Sequence, residues 1–175
     1  MKAYRVVCLG VFSLSGCVIG LRAGPDVTLT RSTLVAGGSA SYSAGFGDGE
    51  DAVLTVMTGG LGTSVKDNSL FGHIAAGLEG KYNFGVEPDF THFGLRGGVL
   101  IGGNFHQNEG SLQLMFRAGP GFILSKNKSE TLLLSLEATA GIEAGAFQGT
   151  VAPILGLSLT FGGDSVIIDH LPLGS

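Results

Sequence analysis

Every second residue from Leu70 reads Leu70, Gly72, Ile74, Ala76, Leu78, Gly80, Tyr82, Phe84, Val86. The residues between them read Phe71, His73, Ala75, Gly77, Glu79, Lys81, Asn83, Gly85, Glu87. One face is apolar and ends in aromatics; the other is small or charged. Period-two alternation of this kind marks a β-strand with two chemically different sides. The pattern recurs, broken by short polar turns, as far as Phe161. It predicts strands over 26–32, 34–46, 52–64, 69–87, 92–105, 111–124, 131–147 and 150–161. The segment 26–46 is the least regular. Most of these strands exceed the roughly 9–11 residues needed to cross a bilayer.

About eight antiparallel strands joined by short turns make an up-and-down barrel, and alternation allows two versions of it. A soluble, lipocalin-like barrel turns its apolar face inward and holds a lipophilic ligand; a membrane barrel reverses the faces. The polar face decides between them. It is mostly Gly, Ala, Ser and Thr, with one or two charges per strand. Charged residues make up only 14% of the chain, against about 25% in a typical soluble domain. A water-facing exterior would need more, whereas a narrow lumen needs small side chains and a few paired polar ones. Aromatics near strand ends (Phe46, Tyr82, Phe84, Phe93, Phe105, Phe122, Phe147, Phe161) fit interfacial girdles, although Trp is absent. The expected fold class is therefore all-β: an antiparallel up-and-down transmembrane β-barrel of about eight strands.

Composition refines this picture. No run of about 18 apolar residues supplies a membrane-spanning helix. The net charge of −4, without a basic patch, gives no footprint for nucleic acid. The pairs Gly97-Gly98 and Gly102-Gly103 lie inside predicted strands with no helix following. They permit curvature and close approach rather than cradling phosphate.

The N-terminus reads as a targeting segment. Lys2 and Arg5 precede a short apolar stretch from Val6 to Leu14, too short to span a bilayer. Leu14-Ser15-Gly16-Cys17 resembles the lipobox of bacterial lipoprotein signal peptides. The resemblance implies cleavage before Cys17, acylation of that cysteine with chains such as palmitate, and handling by the lipoprotein-processing machinery. Ordinary secretory cleavage near Ala23 fits the small-x-small pattern poorly, because Leu21 stands two positions earlier. Cleavage before Cys17 would remove Cys8 and leave one cysteine, which cannot form an internal disulfide. The expected organisation is a signal peptide over 1–16, a barrel over 17–163 and a tail over 164–175.

The chain as a whole resembles the small outer-membrane β-barrel proteins of Gram-negative bacteria. Its last predicted strand, Gly156-Leu157-Ser158-Leu159-Thr160-Phe161, is similar to the β-signal of that family, with Gly156, Leu159 and Phe161 at the signal positions. In the family the aromatic residue usually ends the chain; here Gly162 to Ser175 follow. The resemblance implies a bacterial outer-membrane location, contact with outer-membrane lipid and delivery by the barrel-assembly machinery. It implies an N-terminus lipid-anchored on the periplasmic side, and a structural or surface-interaction role rather than a general porin. The sequence names no functional partner.

Arg117, Glu137, Arg96, Glu79, Lys81 and Glu143 all fall on the predicted lumen face. A hairpin centred on Asn127 would put Arg117 opposite Glu137. Charges buried in a lumen persist only when paired, so these six are expected to form an ion-pair network centred on Arg117–Glu137, whose role is to fill the barrel. His73, His92, His106 and His170 lack metal-ligand spacing, and no cofactor is expected. His73 and His106 are expected to share one rim with Asp67 and Glu109, with no nucleophile beside them. Outer-membrane lipid A deacylases use a His-x-Ser pair. Here Ala75, Gly94, Asn108 and Pro172 stand two positions after the four histidines. No catalytic residue is assigned and the chain is not expected to be an enzyme. A soluble ligand-binding barrel and an outer-membrane lipid hydrolase remain as alternatives.

Overall fold

The computed structural model describes residues 17–30, 33–47, 52–83, 92–106, 109–126, 130–145 and 151–166. The expected signal peptide, His170 and the chain after 166 lie outside the described residues. Eight strands follow in order: β1 (Cys17–Leu29), β2 (Leu34–Gly47), β3 (Ala52–Ser64), β4 (Leu70–Asn83), β5 (His92–His106), β6 (Glu109–Lys126), β7 (Glu130–Gly145) and β8 (Val151–Val166). Each pairs antiparallel with its neighbours, and β8 pairs with β1, closing the barrel. Closure leaves no open sheet edge, the condition for strands to cross a bilayer.

The register shows how the strands lean. From Ile19 the pairing runs through Ala44, Thr55, Leu78, Val99, Phe116, Ala140 and Leu155. It returns to β1 at Leu29 rather than at Ile19. Such a stagger means strands tilted to the barrel axis.

The alternation selects the face. Leu21, Phe46, Leu78, Ile101, Phe116, Leu157 and their like point outward and are exposed. Patches of exposed apolar surface above a few hundred Å² are rare on soluble proteins; here they wrap the whole barrel. Phe46, Tyr82, Phe122 and Phe161 lie toward the end that carries both termini, and Phe105 toward the other. A barrel with its apolar face inward is thereby excluded. The lumen is not uniformly polar, however. Val18, Leu54, Val56, Leu100, Met115 and Ile154 share the inward face and cluster there, with Leu54 and Ile154 fully buried.

Two boundaries differ from expectation. β1 begins at Cys17 and ends at Leu29, not over 26–32. The alternation is intact over its first half, but Gly20, buried Arg22, Gly24 and Pro25 disguise it. β8 continues past Gly163, the expected end of the barrel, to Val166. Residues 164–166 are therefore strand and not tail, because Asp164 has partners in the lumen. Phe161 faces outward within β8 and does not end it.

Gly98 and Gly102 lie within β5. A Cβ at Gly98 would sit 2.4 Å from the Leu78 carbonyl oxygen, and one at Gly102 2.2 Å from that of Ile74. Close approach of β4 thus accounts for glycine at both positions.

The turn from β3 to β4 is tied by Ser64 N–H donating to the Ser69 carbonyl (2.9 Å) and Asn68 N–H to the Ser64 carbonyl (2.9 Å). Asn68 adopts a φ of 57°, a left-handed conformation that Gly and Asn tolerate best. Asn68→Gly should leave stability within about 0.5 kcal/mol. Asn68→Val should cost about 1–2 kcal/mol, read as a lower midpoint in reversible urea unfolding from lipid vesicles.

Candidate functional site

The inward residues of the strands bring a charged layer together in the lumen. Glu79, on β4, is its hub. Its Oε1 accepts from Arg22 of β1 at 2.8 Å and from Arg96 of β5 at 3.4 Å, and its Oε2 accepts from Arg117 of β6 at 3.2 Å. Glu137 of β7 accepts from Arg22 at 3.2 Å and stands 3.1 Å from Arg117 Nε. That last contact pairs charges without a directed hydrogen bond. Asp164 of β8 accepts from Lys81 at 2.9 Å and from Arg96 at 2.5 Å. All seven residues are buried. Desolvated charges persist where each finds opposite charge and hydrogen bonds, and the chelating pattern around Glu79 supplies both.

Of the six lumen residues proposed from sequence, five meet here: Arg117, Glu137, Arg96, Glu79 and Lys81. Glu143 does not. It accepts a short hydrogen bond from the Ser111 hydroxyl and one of 3.5 Å from the Asn104 amide, outside the ion-pair layer. The register proposed for the centre is also corrected: Arg117 stands opposite Thr139, not Glu137. Lys126 pairs with Thr131, so the pairing is centred later than Asn127, and a bulge between Ile123 and Ser125 returns one residue of that displacement. Arg117 and Glu137 keep the same face, and their long side chains close the two-residue offset.

Arg22 and Asp164 were absent from the sequence-derived set. Both have the correct parity: Arg22 alternates with Leu21 and Ala23, and Asp164 follows Phe161 and Gly163 on the opposite face. They were hidden because one lay before the first predicted strand and the other in the predicted tail.

At the rim opposite the termini, the Ser69 hydroxyl lies 2.6 Å from Asp67 Oδ1 and 2.8 Å from His106 Nε2. Phe71 stacks on the His106 ring, with centroids 4.0 Å apart. A hydroxyl therefore does stand beside a rim histidine, contrary to the sequence reading. The order of groups is wrong for an activated nucleophile, though. A serine hydroxyl carries one proton; when it donates to Asp67, His106 must donate to serine and cannot serve as its base. Hydrogen bonds from the Ser69 side chain, from Ser64 and from the Ser69 amide hold the exposed Asp67 carboxyl down at about 2. The cluster ties the β3–β4 turn to the end of β5. His73 is not at this rim: it points into the lumen. The side chains of His92 and Glu109 lie outside the described residues. Among the described residues no cluster of three or more His, Cys, Asp or Glu is placed to hold a metal ion.

Cys17 opens β1 as a free, half-buried thiol opposite Phe46. Its parity is that of outward Ile19 and Leu21. In β8, Leu159 and Phe161 are exposed on the outer face, while Gly156 faces Thr28 and Thr139.

No protein-family model matches the sequence, and no curated protein matches it. Solved structures do. Neisserial surface protein A superposes with a TM-score of 0.63 at 13% identity, covering 87% of this chain and 98% of that one. The N-terminal β-barrel domain of Pseudomonas aeruginosa OprF gives 0.43 at 17% identity, covering 85% and 98%. The attachment invasion locus protein Ail of Yersinia pestis gives 0.46 at 9% identity, covering 86% and 98%. At such identities a likeness speaks for architecture, and the chain shares the closed-barrel fold of Neisserial surface protein A.

Proposed function

We propose that the protein is a small integral barrel of a Gram-negative outer membrane, acylated at Cys17, with a structural or surface-interaction role. The observation that carries this reading is the inversion of the faces: an apolar exterior around a lumen closed by charge pairs. Outer-membrane lipid covers the exterior, and the barrel-assembly machinery inserts it. The lumen argues against a general porin, because the Glu79 layer and the apolar cluster around Leu54 and Ile154 fill its cross-section. Catalysis is left out of this reading because Asp67 binds the serine and not the histidine of the rim cluster.

The position of Cys17 supports a direct lipid anchor. Acyl chains on an outward-facing residue at the end carrying the termini would enter the membrane alongside β1. One chain binds only marginally, at about 0.8 kcal/mol per buried methylene, so the two or three chains of a lipoprotein matter. The strands themselves should hold the protein in the membrane without them.

The test is envelope fractionation with labelled palmitate. The protein should stay with membranes through a carbonate wash and migrate faster unboiled than boiled. Cys17→Ala should lose the label and keep both other properties. Release by carbonate would overturn the integral barrel; label retained in Cys17→Ala would overturn the anchor.

A further inference from the structure

Between the Glu79 layer and the Ser69 rim, the lumen holds a cavity of about 70 Å³. At roughly 10–15 Å³ per water it has room for several. Asp26, His73, Asn104, Gln113, Arg117 and Ser158 line it. Missing side chains make the space. A Cβ at Gly60 would lie 2.4 Å from His73 Cε1, and one at Gly62 2.7 Å from Val35 Cγ1. The His73 ring has its place because position 60 is glycine.

The charges around this cavity are unevenly met. Arg22, Arg96 and Arg117 all pair with Glu79, Glu137 or Asp164, and none with Asp26. Among the described residues, the titratable group facing Asp26 is His73. Arg117 forms part of the wall, with its charge taken up by two carboxylates. The Ser158 hydroxyl is nine-tenths buried and has no hydrogen-bond partner. A carboxylate inside a membrane-embedded wall is costly unless an opposite charge compensates it.

We propose that this cavity binds a small monovalent cation, ammonium or an alkali ion, between the Asp26 carboxylate and the neutral oxygens of Ser158, Asn104 and Gln113. One carboxylate among hydroxyls and carboxamides balances one positive charge. Calcium draws on six to eight oxygens, commonly several carboxylates. The layer beneath closes the cavity toward the termini, so the site is a dead-ended vestibule and not a channel.

The experiment follows the His73 ring by NMR in the full barrel folded in detergent micelles at fixed pH. Ammonium, potassium, sodium and tetramethylammonium chlorides are titrated separately. The His73 signal should shift saturably with at least one of the three small ions. Tetramethylammonium, which has no N–H to donate and whose methyl shell keeps its charge away from a carboxylate, should give only a linear salt effect. Saturation by ammonium alone assigns a hydrogen-bonding ion; saturation by potassium or sodium assigns an alkali site. Asp26→Asn should abolish the saturable shift and Ser158→Ala should weaken it severalfold, with gel heat-modifiability showing that each variant is folded. An equal linear response to all four salts would overturn the proposal, as would unchanged saturation in Asp26→Asn. Should Asp26→Asn fail to fold, an unaltered affinity in Ser158→Ala overturns it instead. No arm depends on acylation or on the native membrane.

Discussion

Glu79→Gln should destabilise the barrel by about 3–5 kcal/mol, the range for removing one partner from a buried ion pair. The magnitude follows from the number of cations that Glu79 serves. Its two oxygens meet Arg22, Arg96 and Arg117 at 2.8, 3.4 and 3.2 Å. Glutamine keeps the shape and one acceptor but loses the charge. Four cations, Arg22, Lys81, Arg96 and Arg117, would then share Glu137 and Asp164. Two controls make the result specific. Glu143→Gln removes a carboxylate bonded, among the described residues, to the neutral partners Ser111 and Asn104, and should cost about 0.5–1.5 kcal/mol. The double variant Glu79→Gln, Arg117→Gln should recover part of the loss, because it removes one stranded cation along with the acid. With the single variant Arg117→Gln as the remaining corner, a double-mutant cycle gives the coupling energy. All five proteins are compared by reversible urea unfolding from lipid vesicles. A cost below 1 kcal/mol for Glu79→Gln would mean that water reaches the layer and solvates the arginines, so that the lumen is not sealed there.

The same layer shows what the sequence could and could not disclose. Parity alone put Arg96, Arg117, Glu79, Lys81 and Glu137 on one face, and it did so wherever strands had clean alternation. Parity does not give height along the barrel axis. Glu143 has the right face but sits roughly 20 Å along β7 from Glu137. The six-residue set held three bases and three acids, Glu143 among them, and contained neither Arg22 nor Asp164. Those two residues join the first and last strands to the centre. Arg22 binds Glu79 and Glu137, and Asp164 binds Lys81 and Arg96. The ends of a closed barrel are neighbours, a fact about closure that no local window contains. The Ser69–His106 contact was hidden for another reason: it joins a turn residue to the end of the neighbouring strand, 37 positions away. The β6–β7 register failed by a smaller effect: the later turn shifts the pairing by three positions and the bulge returns one, and the even offset that remains keeps Arg117 and Glu137 on one face.

An arginine placed on the outer face should report depth. Val99 lies midway along β5, half-exposed, opposite Leu78 and Phe116. Leu112 is outward-facing near the rim end of β6, opposite Gly103 and Ala144. If lipid covers this face, Val99→Arg should cost about 2–4 kcal/mol and Leu112→Arg only about 0–1. A midplane guanidinium must thin the bilayer or draw in water, while one near the rim reaches the headgroups by extending its side chain. Neither substitution touches the lumen, so changed ion pairing cannot account for the difference. Val99→Leu, matched for polarity, should be within about 0.5 kcal/mol of the parent. Stability from urea titrations in vesicles gives all three values, and the contrast between Val99 and Leu112 carries the conclusion. Were the barrel to stand in water on a lipid tether, both arginines would be solvated and both costs would fall near zero. Equal and large costs would instead mean that protein, not a bilayer with a headgroup region, covers both positions. The graded result alone assigns the outer face to lipid.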